Sequence, residues 1–111
     1  MIIYKILTRE QWDDLQVRGK TDGAPVDLAD GFIHFSTATQ VRETAARHFA
    51  GQDSLWLVAV DTEDLADLRW EPSRGGDLFP HLYAPLHLDR IVSSVALPLG
   101  PDGHLFPGDI P

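Results

Sequence analysis

The chain contains no cysteine, which excludes disulfide frameworks, thiolate metal sites and cysteine nucleophiles. It is short of positive charge: nine lysines and arginines stand against seventeen acidic residues, for a net charge of −8. A surface of that sign repels long polyanions, so general nucleic-acid binding is not expected. A small phosphorylated ligand remains compatible, because it needs only a helix terminus and one or two arginines. No apolar run approaches the roughly 20 residues of a membrane span, so a membrane partner is not expected either. Met1-Ile2-Ile3-Tyr4-Lys5 lacks the basic region and long apolar segment of a signal peptide, which reads as a cytoplasmic protein. Repeats and low-complexity segments are also missing. What remains is 111 residues, 43% hydrophobic and 23% charged, the composition of one globular domain, 1–111, with a modest core.

The chain starts as strand, helix, strand, helix. Ile2 to Leu7 is rich in β-branched and aromatic residues and reads as a strand. Thr8 and Gln11 have the spacing of a capping box, so a helix runs from about Arg9 to Val17 and Gly19 ends it. Lys20 to Asp30 shows no period and contains Asp22-Gly23 and Pro25, so it reads as a loop. Next comes Asp30-Gly31-Phe32-Ile33-His34-Phe35-Ser36-Thr37-Ala38-Thr39-Gln40, a buried strand running into a helix capped by Thr37 and Gln40. In that helix Ala38, Val41, Ala45, Ala46 and Phe49 recur at core spacing, with Gly51 as the residue after its end. Leu55 to Val60 is apolar on both faces and reads as an interior strand.

The second half is made of shorter pieces. Asp61 to Leu65 is a turn, Leu68 to Glu71 a short strand, and Pro72 to Asp77 a loop carrying Arg74, which is placed to clamp a phosphate. Phe79-Pro80-His81-Leu82-Tyr83-Ala84-Pro85-Leu86 carries prolines at both ends and reads as an edge strand or extended segment. Ile91 to Leu99 is the last long strand, and Pro101-Asp102-Gly103 a turn. With no third amphipathic helix to cover a parallel sheet, the expected fold class is α+β: a compact domain with a bent or split antiparallel sheet and two main helices.

Chemistry concentrates in two segments of the same form. His34 with Ser36, and His81 with Tyr83, are i,i+2 pairs that share one strand face among aromatic residues. Buried imidazoles and hydroxyls need partners and find them in one another or in a ligand, which points to a shared pocket. A small-molecule partner follows from that pocket. Thr37 stands at the expected helix N-terminus, where unpaired N–H groups hold anions.

These two segments resemble the signature motifs of a bacterial family, domain of unknown function 952. Ile3-Tyr4, Trp12, Trp70-Glu71 and Asp102-Gly103 fit the same pattern. The chain departs from it at Lys5, where a histidine is common, and at Ala84, where a glycine is common. The resemblance implies an ADP-ribosyltransferase-like fold and NAD, or a related ligand, held between two small antiparallel sheets. On that basis His34 would bond a ribose hydroxyl, and Ser36, Thr37 and Arg74 would hold polar groups of the ligand. Tyr83 would stack on a ring, His81 would serve as acid or base, and Glu71 would orient the attacking group. An enzyme or an enzyme's vestige is one reading; a non-catalytic binding or regulatory module is another. A third is a metal site in which Tyr83, Glu71 or His87 joins the two histidines, though no local ligand spacing calls for a metal.

Overall fold

The structure is a computed structural model that describes residues 1–108 and 110; the Arg74 side chain lies outside the described part. Its first half runs β1 (Ile2–Thr8), α1 (Arg9–Arg18), β2 (Lys20–Thr21), α2 (Pro25–Asp30), β3 (Ile33–His34), β4 (Ser36–Thr37), α3 (Val41–His48). The second half runs β5 (Leu55–Asp61), β6 (Leu68–Pro72), β7 (Leu78–Leu82), β8 (Leu86–His87), β9 (Ile91–Leu97), β10 (Leu99–Gly100), β11 (Gly103–His104). One sheet has the order β4-β1-β5-β9 and a second the order β3-β7-β6, with two-stranded ribbons β2-β8 and β10-β11. The pairings are antiparallel. This is the expected α+β class, with three helices where the sequence suggested two.

The four-stranded sheet is covered on both faces because its central strands alternate two apolar sets. Ile3 and Leu7 pair with Val60 and Trp56 and share a core with Trp12 and Leu15 of α1 and Ile33 and Leu82 of the smaller sheet. Ile6 pairs with Leu57 and packs with Val41 and Ala45 of α3 on the opposite side. Each such large side chain contributes about 1.5–3 kcal/mol by leaving water. The start of α1 is as expected: Gln11 N–H donates to Thr8 Oγ1, and Thr8 N–H to Gln11 Oε1. Trp12 then stacks on Trp56 with centroids 5.7 Å apart.

Several expectations need correction. The stretch from Lys20 to Asp30 is not a loop; it holds β2 and α2. Pro25 fixes the first turn of α2, and Asp27 reaches back to accept the Ala24 N–H at 2.7 Å, so the helix is capped from inside rather than from its N-cap side chain. The strand around His34 is two strands in different sheets: Ile33 and His34 pair with Leu82 and His81, whereas Ser36 and Thr37 pair with Tyr4 and Ile3. Phe35 is the crossing point, its N–H donating to the Pro80 carbonyl at 3.0 Å.

Helix α3 begins at Val41, four residues after Thr37. Only half of the expected box forms, Thr37 N–H to Gln40 Oε1; the Thr37 hydroxyl pairs with Thr39 instead, because β-pairing holds Thr37 in the sheet. Ala46 is exposed, and the helix is capped at Phe49 rather than at Gly51. Finally, β7 is the central strand of its sheet, not an edge. Pro80 is tolerated there because β3 is only two residues long and ends opposite His81, so Pro80 contributes its carbonyl and lies outside that ladder. No helix among the described residues is long and apolar enough to cross a membrane.

Candidate functional site

Where the chain crosses from one sheet to the other, β1, α2, β3 and β7 converge on a cavity of about 590 Å³. Its polar end is built on Lys5, Asp27 and His34. Strand alternation places Lys5 between Ile3 and Leu7 on the inward face of β1, opposite Val58, and the side chain is buried. A buried ammonium needs an anion, and Asp27 Oδ2 lies 3.0 Å from Nζ. The same Nζ donates to the His34 carbonyl at 3.0 Å.

Asp27 is itself fully buried and its two oxygens are saturated. Oδ2 accepts from Lys5 and the Ala24 N–H; Oδ1 accepts the His34 N–H at 3.0 Å and lies 2.6 Å from His34 Nδ1. Burial alone would raise its pKa, but the His34 hydrogen bond and the Lys5 charge outweigh that and hold the carboxyl well below the usual carboxylate range. Burial lowers the Lys5 pKa, with the charge of Asp27 working against it. Gly23 is required beside this carboxylate: its φ is +109°, and a Cβ there would come within 2.5 Å of Asp27 Cβ. His34 is thereby pinned from below through Nδ1. Its Nε2 meets Asp30 Oδ2 at 3.0 Å, a contact at the partly open side of the ring.

The second cluster lies on the smaller sheet. Glu71 Oε1 accepts from Tyr83 OH at 2.7 Å and lies 2.9 Å from His81 Nδ1. The bond from Tyr83, then that from His81, hold the Glu71 carboxyl below its usual range, and Glu71 in turn raises the Tyr83 pKa. With Glu71 ionised, its hydrogen-bond partner Nδ1 is assigned the hydrogen of His81, which leaves Nε2 as the acceptor. That nitrogen is buried and has no hydrogen-bond partner. Phe32 ties the clusters together: its ring stacks on His81 at 4.1 Å and meets His34 at 4.6 Å and Tyr83 at 5.2 Å. The two imidazoles stand edge to face with centroids 5.3 Å apart.

Of the residues singled out from the sequence, His34, His81 and Ser36 line the cavity. The Ser36 hydroxyl is bonded to Thr44 Oγ1 at 2.8 Å, a clip between β4 and α3. Thr37, Glu71 and Tyr83 are not in the cavity wall; the last two act through His81 and Phe32. Arg74 falls outside the described side chains. His87 sits exposed on β8 opposite Lys20, away from the cavity wall. Among the described residues no three histidine, aspartate or glutamate side chains are grouped to hold a metal ion.

Sequence reasoning missed Asp27 and Asp30 as members of the site, and treated Lys5 only as a departure from a pattern. The available signals were a lysine at an inward strand position, and an aspartate two residues after a proline and four after a glycine.

Residues 6–94 match the family described as a protein of unknown function, DUF952. The fold is similar to the crystal structure of protein CC0527 from Caulobacter crescentus, at 50% identity, 94% of this chain, 92% of that one and a TM-score of 0.90. It is also similar to the solution NMR structure of CC0527, at 51% identity, 93% of this chain, 90% of that one and a TM-score of 0.84. No curated protein matches. The family match runs through both the His34 and the His81 segments, and the chain belongs to the domain of unknown function 952 family.

Proposed function

We propose that the cleft binds a ribosyl ligand of the NAD or ADP-ribose kind, on a frame like that of the ADP-ribosyltransferases, and that the protein is an enzyme of that type or the vestige of one. The observation that carries this reading is the pair of imidazoles 5.3 Å apart, each held by its own carboxylate, at the wall of a ligand-sized cavity. The residues fit such a group. A ribose offers hydroxyl donors, and His81 Nε2 is a buried acceptor without one. His34, held through Nδ1 by Asp27, is set to hold a second hydroxyl through Nε2 once Asp30 yields that contact.

NAD supplies a glycosidic bond between ribose and nicotinamide. The chain supplies orientation and proton handling: His81 is the base, through Nε2, for a ligand hydroxyl, Glu71 fixes its tautomer, and the Phe32 ring stacks on His81 and holds it in place. Arg74 is reserved for phosphate groups. A non-catalytic module is the second reading. It is favoured by the Ser36 hydroxyl and the Glu71 carboxylate both being spent on protein partners, which leaves neither directed at an incoming nucleophile.

Titration of folded protein with NAD and ADP-ribose, followed by incubation and mass spectrometry for released nicotinamide, tests both. Binding with release supports the enzyme; binding without release supports the module. Absence of binding by either ligand ends the proposal.

A further inference from the structure

The outer strands of the sheets differ in how they are closed to further pairing. β3 and β4 are two residues long, and β6 carries Arg69, Glu71 and Pro72, features that discourage the addition of another strand. β9 has none of them. It is the outer strand of the four-stranded sheet and runs seven residues, Ile91–Leu97, without a charge or a proline. Among the described residues its ladder is to β5 alone, so alternate residues turn their N–H and C=O groups away from the sheet.

The side chains from Val92 to Ala96 are exposed. Leu99 and Leu105, on the ribbon that follows, are exposed as well. Leu105 is held against the end of β9 by its N–H bond to the Pro98 carbonyl at 2.8 Å, which gives the free edge an apolar rim.

The strand itself points to its occupant. Val92 has no partner on β5, because the register shifts between Ala59 and Val60. That bulge twists the start of the strand and leaves Ser93 to Leu97 as its regular part. A sheet continued across a two-fold axis keeps every residue on its own face, so odd-numbered residues meet odd and even meet even. With the axis at the middle of the regular part, Val95 meets Val95 of the second copy, Ser94 meets Ala96, and Ser93 meets Leu97. A β-branched pair then stands at the centre, and no like charges oppose one another. That neutrality counts in a chain of net charge −8, whose copies repel elsewhere. The charges just before β9, Asp89 and Arg90, are opposite in sign and 3.9 Å apart. A second copy also arrives with its strand already formed, whereas an unfolded segment would first have to be ordered.

We infer that two copies of the chain associate antiparallel through β9, joining their four-stranded sheets into one of eight strands. So short a strand pair is a small join beside the roughly 800 Å² per partner of a stable complex, and a Kd of about 10–100 μM is expected.

Sedimentation equilibrium of the wild-type protein from about 5 to about 500 μM is expected to show monomer passing into dimer. Val95→Lys sets two ammonium groups against each other at the axis, and should stay monomeric throughout with an unchanged far-UV spectrum. Because the chain has no cysteine, Val95→Cys gives a reading that does not depend on the lysine variant folding. Mild oxidation should link it into a disulfide dimer well ahead of Val17→Cys, an exposed position on α1. A dimer unaffected by Val95→Lys, or equal cross-linking at positions 95 and 17, overturns the inference. Wild type that remains monomeric at about 500 μM also overturns it, and leaves the edge to a strand from a different protein.

Discussion

The two histidine–carboxylate couples invert one another. In the first, the carboxylate is the buried member: the Asp27 side chain is 0% exposed and His34 31%. In the second, the imidazole is buried: His81 is 4% exposed and Glu71 33%. Burial decides which partner the fold depends on. Asp27 organises four donors from β1, the turn before α2, and β3, so it is a structural hub that also aims an imidazole. Among the described residues Glu71 takes hydrogen bonds from His81 and Tyr83 at the rim of the smaller sheet, with the Arg69 charge nearby, so it is an orienting group whose removal leaves the core in place.

The sharpest way to break this comparison is Asp27→Ala. It leaves the Lys5 ammonium buried without a counter-ion and three further donors unpaired, and a loss of about 3–5 kcal/mol is expected in urea denaturation. A loss under about 1 kcal/mol would show that Asp27 is no hub.

Acid offers a second test. The folded Asp27 carboxyl titrates below its unfolded value, so the folded state binds that proton more weakly than the unfolded chain. Its stabilisation is therefore complete above the unfolded pKa, near about 4, and disappears as the pH falls through the folded value. Denaturation midpoints measured from about pH 7 to about pH 2 are expected to fall more steeply below the unfolded value in wild type than in Asp27→Asn. Parallel acid limbs would remove Asp27 from the account.

The smallest effect on stability is expected from Glu71→Ala. Its denaturation midpoint should stay close to wild type, while nitrogen-15 NMR of the His81 ring shows the single Nδ1–H tautomer replaced by a mixture. A midpoint as low as that of Asp27→Ala would erase the distinction between the couples.

Which parts were legible in the sequence follows from how far each element's causes lie along the chain. The Thr8–Gln11 capping box and the Leu55–Val60 strand are set by residues within one element, and both stand as read. The division of β3 from β4 is imposed by partners about 35–50 residues away in sequence, the pairs Ile3–Thr37 and Ile33–Leu82, and nothing in Phe32 to Thr37 announces it. Helix α2 is six residues long, too short for a period to show. Asp27 has the composition of a loop acid, and only the tertiary arrangement of Lys5 and His34 makes it a core residue. The paired histidines were visible as motifs; their contact through Phe32 needed the fold.

The pairing of β1 also carries a consequence for the order of assembly during synthesis. Thr8 waits for Leu55 and Ile2 for Asp61, so β1 is without its long partner until about 50 further residues have left the ribosome. Only the two-residue strand β4 can join it earlier. Closing so wide a loop before any reward arrives slows folding. Asp27 and His34 emerge soon after Lys5, but His81 is added only with β7, so the two histidines meet late, after the larger sheet has its central strands.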